Sequence, residues 1–195
     1  MPVDRAQLNA VGDIVLTSPQ ALEALADPLR LAVFEFVRRN GPVSSETIAE
    51  RLGRDHATAL SHLHELAAND LIDVQHDEVG AELWSTPARG IYFEIPESFE
   101  GQAAARRLSS LMLAEASELP ARWTREIEPQ LIVEWARAAG VFSARIELTS
   151  DELRDLQEQL ERLLEPFTNR SADDVPAGAG PVRVLTFFLP EPNLD

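Results

Sequence analysis

The stretch that decides the reading is Val43 to Ile72, VSSETIAERLGRDHATALSHLHELAANDLI. Ser44 or Ser45 supplies a hydroxyl to cap a first turn, and Glu46 and Glu50 suit the electropositive start of a helix. Ile48, Ala49 and Leu52 share one face of that helix, and Gly53 ends it by accepting a left-handed exit. Asp55 caps a second helix running from His56 to about Ala68. At about 100° per residue, Ala59, Leu63, Leu66 and Ala67 point one way with Leu60 at the edge. Arg54, Ala57, Thr58, Ser61 and Glu65 point the other way, flanked by His62 and His64. Two short helices, a glycine turn and a small polar outer face make a helix-turn-helix, whose second helix enters a major groove. The same spacing also suits an ordinary helical hairpin with a solvated face.

Outward from this stretch, the neighbours extend the pattern. Ser18-Pro19 and Asp27-Pro28 are two successive helix starts, each a cap followed by proline at the first helical position. The second of these helices carries Leu29, Val33, Phe34 and Val37 and stops at Gly41-Pro42. On the other side, Leu71–Gln75 and Ala81–Ser85 have strand character around a polar HDEVG loop. Helices followed by a two-stranded hairpin predict a winged helix. Asp13–Leu16 can extend as a short strand within an irregular start, and Ile91–Ile95 as an extended piece leading out.

Here the residues carry a resemblance. The run ALADPLRLAVFEFVRRNGPVSSETIAERLGRDHATALSHLHELAANDLI resembles the DNA-binding domain of ArsR-type winged-helix transcriptional regulators. The matching pieces are the opening ALADPLRL, the helix ending in ERLG, and Thr58…His62-Leu63…Leu66 followed by Asp70-Leu71-Ile72. It covers about residues 18–90, with weaker similarity to the C-terminal part of a branch that has an extra domain. The resemblance implies double-stranded DNA as partner, a homodimer, and an unknown small-molecule effector. It places Ala57, Thr58, Ser61 and His62 where the reading helix meets DNA. Thr58 and Ser61 can hydrogen-bond base edges or phosphates, Ala57 can touch a thymine methyl, and N–H groups near Ser45 and Thr47 can hold a phosphate. With Arg54 and His64 these residues form the expected DNA-binding set. Two positions depart from the family pattern: Leu60 stands where serine is usual, and the wing, commonly basic, here reads His76-Asp77-Glu78 with Glu82 behind it.

Charge weighs on the other side. The 195-residue chain has a formal net charge of −16, carries no lysine, and is acidic in both halves. Residues 1–96 hold 7 Arg against 15 Asp and Glu, and the remainder 10 against 18. A DNA-binding half is usually the basic one, because phosphate neutralisation supplies much of the affinity. Arg38, Arg39, Arg51 and Arg54 are the nearby cations.

The C-terminal half predicts a long helix from Glu97 to about Glu118, interrupted at Pro120. Helical character resumes through Trp123, Ile127, Leu131 and Trp135, with Pro129 a second break and Gly140 the end. This apolar stripe reads either as core within one chain or as a dimer interface. Val141–Leu148 alternates like a strand. Thr149 with Glu152 forms a capping box for a helix to about Glu165 that Pro166 ends, and Val182–Leu189 is an apolar strand. This strand–helix–strand unit is too small to bury its own faces and needs the long helix or a second copy.

Other chemistries are poorly served. Without cysteine there is no disulfide and no thiolate metal site. His62 and His64, two apart, point to different faces. The paired-helix metal sites of some ArsR relatives need C-terminal histidines, and all four histidines lie between residues 56 and 76. No phosphate loop or nucleophile elbow is present. Trp84, Trp123 and Trp135 suit core packing better than a ligand pocket. Met1–Leu16 lacks the pattern of a signal peptide, and no stretch is long and apolar enough to span a bilayer, so a cytoplasmic location is expected.

The expectation is a mainly α fold with small β content: an arm over residues 1–17, a winged helix-turn-helix domain over 18–96, and a helical dimerisation region over 97–195 ending in a strand–helix–strand unit. The expected function is DNA-binding transcriptional regulation by a dimeric repressor, not an enzyme, with no metal and no cofactor. The alternative is a winged-helix interaction module that has lost DNA binding.

Overall fold

The structure is a computed structural model and describes residues 7–191. Four helices build the N-terminal domain: α1 (Pro19–Leu25), α2 (Pro28–Asn40), α3 (Ser45–Leu52) and α4 (His56–Ala68). Each begins on the local signal read above. The Ser18 hydroxyl accepts from the Ala21 N–H at 3.1 Å, and one Asp27 oxygen accepts from Leu29 and Arg30 at 3.0 and 2.9 Å. For α3 the cap is Ser44, not Ser45. Gly53 closes α3 at φ 60°, ψ 41°. Leu22, Phe34, Ile48, Leu63 and Leu66 project inward from the four helices into one buried cluster.

The wing is the antiparallel pair β2 (Asp73–His76) and β3 (Glu82–Ser85). Trp84 of β3 is 1% exposed. Its backbone also bridges to Val43, so the turn before α3 runs along the wing's inner edge. A second small sheet pairs β1 (Asp13–Leu16) with β4 (Gly90–Phe93) in parallel, Asp13 opposite Gly90 and Leu16 opposite Phe93. Ile14 and Leu16 bury their side chains in the main core. The extended piece after the wing therefore leads back along the N-terminal strand.

Two helix ends correct the sequence reading. The long helix α5 (Phe99–Arg122) continues through Pro120 instead of being interrupted there. Proline removes one hydrogen bond late in the helix, and the chain then widens into a π turn at Trp123–Ile127 and tightens into a 3-10 turn at Glu128–Gln130. A short α6 (Val133–Ala138) follows. The last long helix, α7 (Ser150–Thr168), keeps the Thr149–Glu152 capping box and passes Pro166 by two residues. Only its final turn lacks the proline N–H, and the break falls where the helix frays in any case.

The chain divides into two compact units, one of residues up to Ala114 with Val141–Asn169, the other of Glu115–Gly140 with Arg170 onward. This division differs from the boundaries expected at residues 17 and 96. In the first unit, Ala104, Ala105 and Leu108 at the start of α5 join the winged-helix core. Asn169, just past α7, donates to Ala10 O at 3.0 Å and accepts from Arg89 at 3.1 Å. In the second unit, Ile132, Val133, Val182 and Val184 are exposed in this single chain.

The runs 141–148 and 182–189 pair with no other strand among the described residues, unlike the strands expected there. Val141 and Phe142 are 90% and 91% exposed. Alternation supplies a strand's two faces but not its partner, and an unpaired strand has only water for its backbone.

Candidate nucleic-acid interface

The candidate face is the outer side of α4 with the start of α3 and the turn between them. Asp55 sets the first turn of α4 with two bonds to one residue. Its Oδ1 accepts from the Thr58 N–H at 2.9 Å and its Oδ2 from the Thr58 hydroxyl at 2.7 Å. The Thr58 hydroxyl, then its N–H, hold the Asp55 carboxyl below its ordinary range. Thr58 thus has its hydroxyl hydrogen committed and offers only lone pairs outward. Ser61, one turn further on, is exposed, as are Arg54 and Ala57. His62 is half-buried.

His64 turns toward the wing. Its ring stands edge-on to Trp84, with centroids 5.4 Å apart and planes at 82°. It is still exposed, but this contact couples the helix to β3.

At the start of α3, Thr47 is exposed, and its N–H is taken by the Ser44 hydroxyl at 3.3 Å. An anion at this terminus has the Ser45 N–H group to use, since the Glu46 N–H is taken by its own carboxylate. The Ser45 side chain is not on the surface, being only 6% exposed. Its hydroxyl lies 2.8 Å from His56 Nε2, across the turn. Helical spacing carried this signal: Ser45 stands three and four residues before the inward Ile48 and Ala49. The Glu46 carboxyl is held low first by its own backbone N–H and then by the Ser44 hydroxyl.

Cations are sparse here. Arg51 and Arg54 make no ion pair among the described residues. Arg38 is drawn away, bonding Glu35 and the Arg89 carbonyl. The wing residues Asp73, Asp77 and Glu78 are exposed carboxylates. Inside the wing loop, Asp77 Oδ1 accepts from Val79 and Ala81 at 2.9 and 2.8 Å, so one oxygen shapes the turn.

Away from this face, a cleft of about 210 Å³ is lined by Asn9, Val15 and Tyr92 on one side and Arg154, Glu158 and Glu161 on the other. Burial, then the charges of Asp13 and Glu158, push the Glu161 carboxyl up.

A family model described as a helix-turn-helix domain matches residues 25–75. That span runs from the end of α1 through α4 into the first wing strand, the part of the chain whose geometry has just been described. The family includes ArsR-type regulators. The match points to a DNA-binding regulator rather than an enzyme. No curated protein matches the chain. Among the described residues no helix is long and apolar enough to cross a membrane.

Proposed function

We propose that this chain is a cytoplasmic transcriptional repressor of ArsR-like type that binds operator DNA as a homodimer. The observation that carries the reading is the outer face of α4. Ala57, Thr58 and Ser61 are small side chains on a rigid helix whose other side is locked in the core by Ala59, Leu63 and Leu66. Small residues let a helix backbone approach base edges closely. Arg51 and Arg54 supply phosphate contacts at the turn, and the Ser45 N–H at the start of α3 supplies another. His62 reaches the flank of the same face. His64, held against Trp84, acts at its edge by fixing where the wing sits.

Dimerisation rests on the family resemblance and on apolar side chains left exposed in one chain, including Ile132, Val133, Leu163 and Phe167. A dimer on a promoter represses by excluding polymerase. A small-molecule effector then alters occupancy. No metal or other cofactor enters this reading.

A second reading is favoured by the wing. Its exposed carboxylates repel a phosphate backbone, and between residues 41 and 85 two arginines face nine carboxylates. In that reading the winged helix docks another protein instead of DNA.

Fluorescence anisotropy separates the two. Purified protein is titrated onto its own upstream DNA and onto a scrambled duplex, at low and high salt. Repressor function predicts preference for the upstream DNA that weakens with salt. Absent binding at low salt to both duplexes favours the interaction module.

A further inference from the structure

The first turns of α3 and α4 are joined by one hydrogen bond that neither helix needs for its own capping. Ser44 caps α3 and Asp55 caps α4. Ser45 and His56, each the first residue after its cap, meet instead of each other's caps: Ser45 Oγ to His56 Nε2 is 2.8 Å. Ser45 is the polar residue of an otherwise apolar buried set among the described residues. A hydroxyl in that position is costly unless it is bonded. Its other neighbour, Glu46 Oε2, is 3.4 Å away, too long to do that work alone. His56 keeps half of its side chain exposed, and the same Nε2 lies 3.5 Å from Glu46 Oε1. The bond therefore runs from the core to the surface at the rim of the candidate DNA face.

Beside this bond, α3 and α4 share an apolar core to which α3 gives Ile48 and Ala49, and α4 gives Ala59 and Leu63. Such burial drives association but has no direction, and alanine offers few edges to stop one helix rolling on the other. A hydrogen bond has direction. We propose that His56 is a positioning residue: through Ser45 it fixes the angle of α4 against α3, and so the register in which Ala57, Thr58 and Ser61 meet base edges. The inference rests on the DNA-binding reading and adds a residue that acts without touching a base. Base readout depends on register, whereas phosphate attraction does not, so His56 should govern preference more than total affinity.

The test begins with a DNA sequence selected by the wild-type chain from a random duplex library. Binding to that sequence and to its scramble is then measured for wild type, Ser45→Ala, His56→Ala, the double variant and His56→Gln, at one pH and salt. A helix melt by circular dichroism accompanies each. The expected result is a loss of roughly fivefold to tenfold in preference for either alanine variant, the size of one hydrogen bond. The double variant should lose no more than either single one, and scrambled-duplex affinity should stay nearly constant. His56→Gln, whose amide can still reach Ser45, should keep the preference. Unchanged preference in His56→Ala overturns the proposal, as does an equal loss on both duplexes or a failure of glutamine to rescue. If His56→Ala does not fold, Ser45→Ala and His56→Gln decide between them: the first must lose preference and the second keep it. If the wild type enriches no sequence, the DNA-binding reading fails and this inference fails with it, an outcome distinct from the variant results.

Discussion

Val43 and Trp84 exchange both backbone hydrogen bonds, the Val43 N–H to the Trp84 carbonyl at 3.0 Å and the Trp84 N–H to the Val43 carbonyl at 2.9 Å. The pair ties the entrance of α3 to the wing, and the Trp84 side chain fills the space beneath. Trp84→Ala should cost about 3–5 kcal/mol, as for other large buried aromatics. Urea unfolding followed by far-ultraviolet circular dichroism measures it. A cost near zero would mean that the indole is not part of the common core.

The Glu35 carboxylate on α2 bonds Arg38 and Arg39, each at 2.6 Å. Burial works to raise this carboxyl, but the two guanidinium groups outweigh it and hold it below its ordinary 4.5. A lowered folded value means that the ionised group favours folding above 4.5, and that this stability drains away as pH falls through the folded value. Glu35→Gln should cost roughly 1–2 kcal/mol at neutral pH, an amount trimmed for the partly exposed Arg39. The difference from wild type should close in acid. Stability curves that stay parallel down to low pH would rule this out.

Asp13 behaves in the opposite sense. Burial pushes its carboxyl above the ordinary 3.8, against the pull of the neighbouring Asn9 amide and the Arg38 charge. A raised folded value favours folding below 3.8, and that contribution is lost as pH rises through the folded value. Ionised Asp13 is therefore a cost at neutral pH. Asp13→Asn should melt at or above the wild-type temperature at neutral pH and match it in acid. A clear destabilisation at neutral pH would show that the charge serves the fold.

Gly53 sits at φ 60°, and a Cβ added there meets nothing within 4 Å. Backbone conformation alone then sets the cost of substitution. Gly53→Ala should lose about 1–2 kcal/mol, with Gly53→Asn losing less and Gly53→Val more. Thermal melts give the order. Equal losses for all three would point to a hidden steric contact.

On DNA, Arg51→Ala and Arg54→Ala should each lower the salt slope of binding by about 1 while leaving sequence preference intact. Ser61→Ala should relax preference. Thr58→Ala should do so only toward base edges that donate, because its own hydrogen is given to Asp55. Anisotropy across a salt series, with single-base operator variants, separates these effects. A salt slope unaltered by both arginine changes would remove them from the interface.

The sequence by itself determined the helix starts and the sharp stop at Gly53. Ser18, Asp27, Asp55 and Thr149 bond N–H groups two or three residues away, and Gly53 turns the chain within its own residue. Such contacts need nothing distant, so their residue types announce them. The order of four helices and a hairpin follows from them together with the apolar spacing, and with it the outward face of α4. Tertiary structure alone decided the rest. The pairing of Asp13–Leu16 with Gly90–Phe93 joins strands that no short-range signal links. The runs 141–148 and 182–189 show the same limit from the other side. Alternation prepares a strand, but its hydrogen bonds belong to a partner that no local pattern can supply.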